Sequence, residues 1–327
     1  MITDLHTRVW NAPDQFGAEI SRLLRLRQSD RWIRLDASAA ALNAATECVD
    51  VAVVHGFRAQ RLDAHIPSEL IAEVVRAAPD RRLGVAGVDP MAGDPRGQVD
   101  AAAALGMIGI SVSPMAAGFH PTHSQAMRLY ERCSERGLPV FVSRGVPLSP
   151  SGILEFGRPS AWDEVARSFP TVPIVIGELG YPWVDETLVL VGKHENVWAE
   201  VSGVASRPWQ LYNAMLTAFS LGVMEKLLFG SGFPHETPAR AIENLYSLNA
   251  LGHGTQLPSV PRATVRAIVE RDSLRALGVE VAGLAPRVRS VASGASATVP
   301  AGARLAEGET DESSTEGIRP GDRPGES

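Results

Sequence analysis

The chain is poor in the residues that would place it in several common classes. Its 327 residues include only two cysteines, Cys48 and Cys133. They lie far apart and in neither a C-x-x-C nor a zinc-ligand spacing, so a disulfide framework is excluded and two reduced, partly buried thiols are expected. No basic stripe and no aromatic–basic interleaving is present, and the net charge is −6, which argues against a nucleic-acid partner. No apolar run reaches the roughly 18 residues that a membrane span needs. The N-terminus lacks the positive and apolar regions of a secretory signal, so a cytoplasmic protein is expected. A Gly-rich phosphate loop is missing after the first apolar run, which weighs against a dinucleotide fold.

What is present is a regular alternation. Eight short apolar runs, rich in β-branched residues, begin near residues 2, 49, 82, 107, 138, 172, 196 and 226. Each has the length of a buried parallel strand, and most end in Gly, Pro or a polar residue. The segments between them carry helical periodicity. In 124–137, Ala126, Leu129, Tyr130 and Cys133 share a stripe, and Gly137 is a C-terminal stop. Segments 67–79, 183–194 and 239–252 read the same way. Eight strands alternating with helices predict an α/β protein, a (β/α)8 TIM-type barrel over residues 1–280, with a C-terminal helix. From 281 to 327 the chain is rich in Gly, Ala, Ser, Pro and acid, and is expected to be a disordered tail because it has little apolar surface to bury.

In such a barrel the chemistry sits at the C-terminal ends of the strands. The first strand carries Asp4, His6 and Arg8, which strict alternation places on one face. The later ends offer His55, Ser111, Ser143, Glu178, Glu200 with Ser202 on the same face, and His235 just beyond the eighth strand. Trp183, Trp198 and Trp209 are expected to be packing residues. His55, His120, His123 and His235 are each expected to be surface or loop residues rather than replacement ligands, with His235 the one placed to reach the mouth.

The segments DLHTRVW, GISVSPMAAGFHP, GLPVFVSRG, FPTVPIVIGELGYPWVDETLVLVGKHENVWAEVSG and LLFGSGFPHETPARAIENL resemble the amidohydrolase superfamily. Within it, they are most similar to the branch of metal-dependent hydrolases and nonoxidative decarboxylases of small aromatic acids. The resemblance implies zinc or manganese held at five strand-end positions. Of these only His6 matches. The second histidine of the first-strand pair is Arg8, the fifth-strand histidine is Ser143, the sixth-strand G-H-L-G reads Gly177-Glu178-Leu179-Gly180, and the aspartate of G-S-D-F-P is Gly232.

Arginine cannot ligate a metal. His6 and Glu178 are the residual candidates, two where a zinc site needs three or four, so no metal or other cofactor is expected. Arg8 is expected to fill the vacated site and pair with Glu178, with Asp4 as a second acceptor, because a buried guanidinium must be paired. Three readings follow. The first is a non-catalytic homologue that binds a small molecule. The second is a metal-independent hydrolase or lyase using His6, Arg8 and Glu178. The third is a metallohydrolase with atypical ligands such as His6, Glu178, His55 and His235. The substrate pocket is expected to include Asp4, His55, Ser111, Ser143, Glu200 and His235. The resemblance also implies a homo-oligomer or pairing with an active paralogue.

Overall fold

The computed structural model describes residues 1–11, 13–28, 36–143, 149–281 and 283–284. The expected tail lies outside the described residues, apart from residues 281, 283 and 284.

All eight predicted strands form. They are β1 (Thr3–Thr7), β2 (Val51–His55), β3 (Arg82–Gly87), β4 (Gly109–Val112), β5 (Val140–Val142), β6 (Ile174–Ile176), β7 (Val197–Glu200) and β8 (Leu227–Leu228). They pair in parallel in chain order, as one eight-stranded sheet. Main-chain bonds carry the last strand back to the first: Leu5 N–H to Phe229 O at 3.0 Å, Gly232 N–H to His6 O at 2.9 Å and Arg8 N–H to Phe233 O at 2.9 Å. The TIM-type barrel read from the sequence is the architecture found.

Two apolar layers stabilise it. Inside the barrel, Leu5, Val51, Val53, Leu83, Val85, Phe141, Val175 and Leu228 pack together. Leu274 and Leu277, on and just after the short helix Ser273–Ala276, join that cluster with Met1 and Ile108 from before the strands. The predicted C-terminal helix therefore closes the end of the barrel opposite the strand C-termini. Outside, strand residues such as Val54, Ile110 and Ile174 face the helices.

The helices follow their local signals. Residues Ser124–Arg136 bury the predicted stripe, and Gly137 adopts a left-handed φ of 65° as the stop. The 67–79 helix runs Ser68–Arg76 and the 183–194 helix runs Val184–Lys193. The 239–252 segment divides into Pro238–Tyr246 and a 3-10 turn, Leu248–Gly252. A short antiparallel pair, Phe57–Ala59 with Ala64–Ile66, was not legible in the sequence. Both strands are too short to show a period.

Candidate functional site

The site begins with an irregularity in β1. The β1–β2 register shifts between Asp4 and Thr7, where three steps on β1 match two on β2. Strict alternation fails here. Leu5 and His6 both line the same cavity at the strand C-termini, so Asp4, His6 and Arg8 do not share one face. Asp4 turns away, and its Oδ1 accepts from the main-chain N–H of Ser231 at 2.9 Å and of His6 at 3.1 Å. It anchors β1 to the β8 end instead of meeting Arg8. Its Oδ2 is buried with no hydrogen-bond partner among the described residues. Burial pushes its pKa up to about 6, against the lowering effect of bonds from Ser231 and His6.

The buried pair at the centre joins His6 to Glu200, with Nδ1 2.8 Å from Oε1. Glu200 is 2% exposed. Its Oε1 also accepts from Glu178 N–H at 2.7 Å and from Ser202 Oγ at 2.8 Å, and its Oε2 accepts from Ser202 N–H at 2.6 Å. Burial raises its pKa, but the charge and hydrogen bond of His6 and the two main-chain N–H groups outweigh that, and the carboxyl is held below its ordinary value. Four hydrogen bonds to a charged acceptor, at about 1.5–3 kcal/mol each, offset a desolvation penalty of several kcal/mol. Two glycines make room. A Cβ at Gly230 would lie 2.5 Å from Glu200 Oε2. A Cβ at Gly177 would lie 2.7 Å from Val142 O.

The hydrogen bond to a carboxylate defines the His6 tautomer. Nδ1 carries the proton, and Nε2 is the nitrogen left for the cavity. Ser202 Oγ, 3.1 Å from the same Nδ1, braces the pair.

No ion pair between Arg8 and Glu178 is found among the described residues. The Arg8 Nη2 donates to Ser143 Oγ at 2.5 Å, and its guanidinium lies 5.7 Å from the centre of the Phe57 ring. Ser143 follows β5, which stands opposite β1 in the ring of strands, so this contact crosses the barrel mouth. Glu178 is half-buried and follows β6 in a left-handed conformation (φ 54°, ψ 34°), as does Leu179 (φ 49°, ψ 27°). Two consecutive non-glycine residues in this region are strained by about 1–3 kcal/mol each, and the turn delivers the Glu178 N–H to Glu200. The Glu178 carboxylate packs over Gly203, where a Cβ would meet Oε2 at 2.6 Å.

The cavity is small, with room for little more than one water-sized group, and is lined by Leu5, His6, His55, Ser111, Phe141, Val142, Ser143, Val175, Gly177 and Glu200. Of the expected pocket residues, it brings together His55, Ser111, Ser143 and Glu200 with His6. Asp4 and His235 are not in the lining. His235 is exposed, and its N–H closes a turn on Gly232 O at 3.0 Å.

Among the described residues, no group of three or more His, Cys, Asp or Glu side chains is placed to hold a metal ion. His120 and His123 are exposed as expected, the latter capping the helix that follows it. Trp183 and Trp198 are partly buried beneath Arg158 and Lys226. Trp209 departs from the packing expectation and is 56% exposed at the start of helix Pro208–Ser220. Cys133 is buried, Cys48 is half-buried, and no disulfide joins them. No helix among the described residues is long and apolar enough to cross a membrane.

The pairing of His6 with Glu200 carried one sequence signal. Glu200 and Ser202 alternate with buried Val201, which directs both toward the barrel mouth. The β1 bulge and the close approaches at Gly177 and Gly230 had none.

Solved structures share the fold at low identity. An uncharacterised TIM-barrel protein from Bordetella bronchiseptica is 17% identical, with a TM-score of 0.62 over 85% of this chain and 98% of that one. A probable 2-pyrone-4,6-dicarboxylic acid hydrolase from Acinetobacter baumannii, with citric acid bound, is 15% identical, with a TM-score of 0.56 over 85% and 99%. A dihydroxybenzoic acid decarboxylase from a Polaromonas species, with bound manganese and the inhibitor 2-nitroresorcinol, is 15% identical, with a TM-score of 0.55 over 85% and 96%. No curated protein sequence matches the chain significantly. The amidohydrolase family model matches residues 3–279, and with the strand-end site in place this chain belongs to the amidohydrolase family.

Proposed function

We propose that this member binds a small organic molecule at the barrel mouth and acts on it by proton transfer through His6, without a divalent ion. One observation carries the reading. Glu200 holds the His6 Nδ1 proton in a buried, fully bonded pair, which leaves Nε2 to the cavity. A carboxylate-oriented imidazole is a general base whose protonated form is stabilised by the same carboxylate.

The positions that would hold a metal support it by their chemistry. Arg8 places a permanent cation there, Ser143 is engaged by that cation, Glu178 lies over Gly203 and Gly232 has no side chain. Such a donor set does not suit zinc or manganese. In hydrolysis His6 would take a proton from water at Nε2 and return it to the leaving group; in carboxyl loss the protonated ring would give its Nε2 proton to the carbon that CO2 leaves. The cavity volume limits the reacting portion of the substrate to a small fragment, and the hydrolase and decarboxylase neighbours suggest hydrolysis or carboxyl loss.

A second reading is binding without turnover. It is favoured by the Arg8–Ser143 contact, which spans the mouth.

The first test is metal content with activity. Protein purified without chelator is expected to carry substoichiometric zinc and manganese. Turnover of aromatic carboxylates, lactones or amides is expected to persist in excess chelator and to be lost in His6→Gln. A stoichiometric ion that survives purification overturns the proposal; saturable binding with no turnover selects the second reading. As a converse, the quadruple variant Arg8→His, Ser143→His, Glu178→His, Gly232→Asp is expected to take up manganese. Position 232 has a φ of 78°, a conformation that aspartate tolerates better than most residues.

A further inference from the structure

One helix on the outside of the barrel lacks the charged face that a solvated helix carries. Helix Pro208–Ser220 follows β7 and reads PWQLYNAMLTAFS, with no charged side chain. Helix Ser124–Arg136, of the same length, reads SQAMRLYERCSER and is charged along its outer side. The uncharged helix buries Leu211, Tyr212, Ala214, Met215 and Ala218 against the barrel. On its other side Trp209, Asn213, Leu216 and Ser220 recur at the spacing of one stripe. Leu216 is half-buried and the other three are exposed. Residues 247–261 run beside this helix and are tied to it by the Tyr212 hydroxyl, which donates to Pro258 O. They too contain no Asp, Glu, Lys or Arg.

The exposed apolar side chains of this face are Trp209 (56%), Leu221 (50%), Phe219 (45%), Leu257 (43%) and Leu251 (41%). An aromatic side chain carries about 150–250 Å2 and a leucine less, so together they expose roughly 400 Å2. That is within the range of the largest apolar patch on a monomer, which is often functional. It is also about half of the ~800 Å2 that each partner of a stable interface covers. Exposed amides and hydroxyls, such as those of Gln210, Thr255 and Gln256, widen the face without adding charge. Aromatic enrichment and charge depletion mark the core of an interface. Trp209 is also held in place. Its ring stacks on Tyr212 at 6.2 Å and 28°, so it has little freedom to lose on binding.

We propose that Pro208–Ser220 and 247–261 form the interface of a twofold homodimer, in which the helix packs antiparallel on the same helix of a second copy. Charge selects the occupant. Each copy has a net charge of −6, so two copies repel wherever their acidic side chains face one another. Across this face they do not, and a partner recognised by charge finds nothing here to pair with. A twofold axis sets a patch against itself. With the axis at the middle of the helix, Trp209 of each copy meets the Phe219 end of the other, and Asn213 lies beside the axis. The proposal does not depend on the chemistry assigned to His6.

The experiment is sedimentation velocity on the full chain at about 1 to 100 μM. Wild type is expected at twice the chain mass. Trp209→Glu and Phe219→Glu are each expected to weaken association at least about thirtyfold, since each removes an aromatic anchor and buries a carboxylate. Both positions are exposed, so the far-UV spectrum of either variant should match wild type. Met91→Glu alters a side chain 44% exposed after β3, which stands opposite β7 in the ring, and is expected to leave the mass unchanged. Asn213→Cys is expected to be bridged between copies by a short bis-maleimide, with wild type as the blank for Cys48. A monomer throughout the range overturns the proposal. So does a dimer indifferent to both glutamates, which would use another face. A monomer in which the Asn213→Cys thiol reacts slowly also overturns it, and assigns the cover to another part of the same chain.

Discussion

Two side-chain pairs in this molecule, each joining a carboxylate to a nitrogen, have the same length and different environments. His6 and Glu200 meet at 2.8 Å inside the barrel mouth, and Arg96 and Glu131 meet at 2.8 Å on the outer face. The Glu200 side chain is 2% exposed and that of Glu131 is 57% exposed. The outer pair belongs to a lattice in which Arg96, Arg132 and Arg136, from helices Pro95–Ala104 and Ser124–Arg136, share Asp100, Glu131 and Glu135. Water can replace any one of those contacts. Nothing can replace the bonds to Glu200, because four donors converge on a carboxylate from which solvent is removed. The comparison teaches that distance alone does not rank an interaction; what matters is whether water can substitute for the lost partner.

Breaking the buried pair is expected to have the largest effect. Glu200→Ala strands the His6 proton and the N–H groups of Glu178 and Ser202, and is expected to lower stability by about 3–5 kcal/mol, read as the fall in unfolding free energy in urea. An unchanged midpoint would show that the pair is dispensable.

Asp4 sharpens the comparison, because it is a buried carboxylate whose Oδ2 has no partner among the described residues. Its folded pKa, about 6, lies above its unfolded value of 3.8. The protonated form is therefore the one that folding favours. Its contribution is fully present below about pH 4 and is lost as the pH rises through about 6. The difference between the two limits is about 3 kcal/mol. Glu200 has the opposite sign: its folded pKa is lowered, so its contribution is present above its unfolded pKa and lost as the pH falls through the folded one. Asp4→Asn is expected to remove the decline between pH 4 and pH 7 that wild type shows in urea titrations. A decline of the same size in the variant would assign it elsewhere.

The smallest effect is expected on the outer face. Asp100→Ala should leave the urea midpoint within experimental error of wild type, and any residual difference should vanish in high salt. A loss comparable to that of Glu200→Ala would erase the distinction between the two regions.

Much of the scaffold was legible from local chemistry. Runs such as Val51-Ala-Val-Val54 are apolar and mostly β-branched, and they form strands buried on both faces. The glycine at 137 stops its helix where the pattern ends. Less of the site was legible. His6, His55, Ser111, Ser143 and Glu200 were placed at strand ends and do line one cavity. Beyond the shared face of Glu200 and Ser202, their pairing carried no sequence signal. The expectation for Arg8 named Glu178 as its partner, but the structure sends the guanidinium to Ser143 and the Phe57 ring, and gives Glu200 to His6.

The reason lies in how far each signal reaches. Strand, helix and cap preferences act over a few residues, so the order of elements, the barrel and the family likeness were determined by the sequence alone. The dyad joins residues 194 apart, and the Arg8–Ser143 contact joins residues 135 apart. Both depend on a one-residue bulge in β1 and on the space left by Gly177 and Gly230. Such offsets are set by packing across the closed barrel, and only the tertiary structure decides which carboxylate a histidine meets.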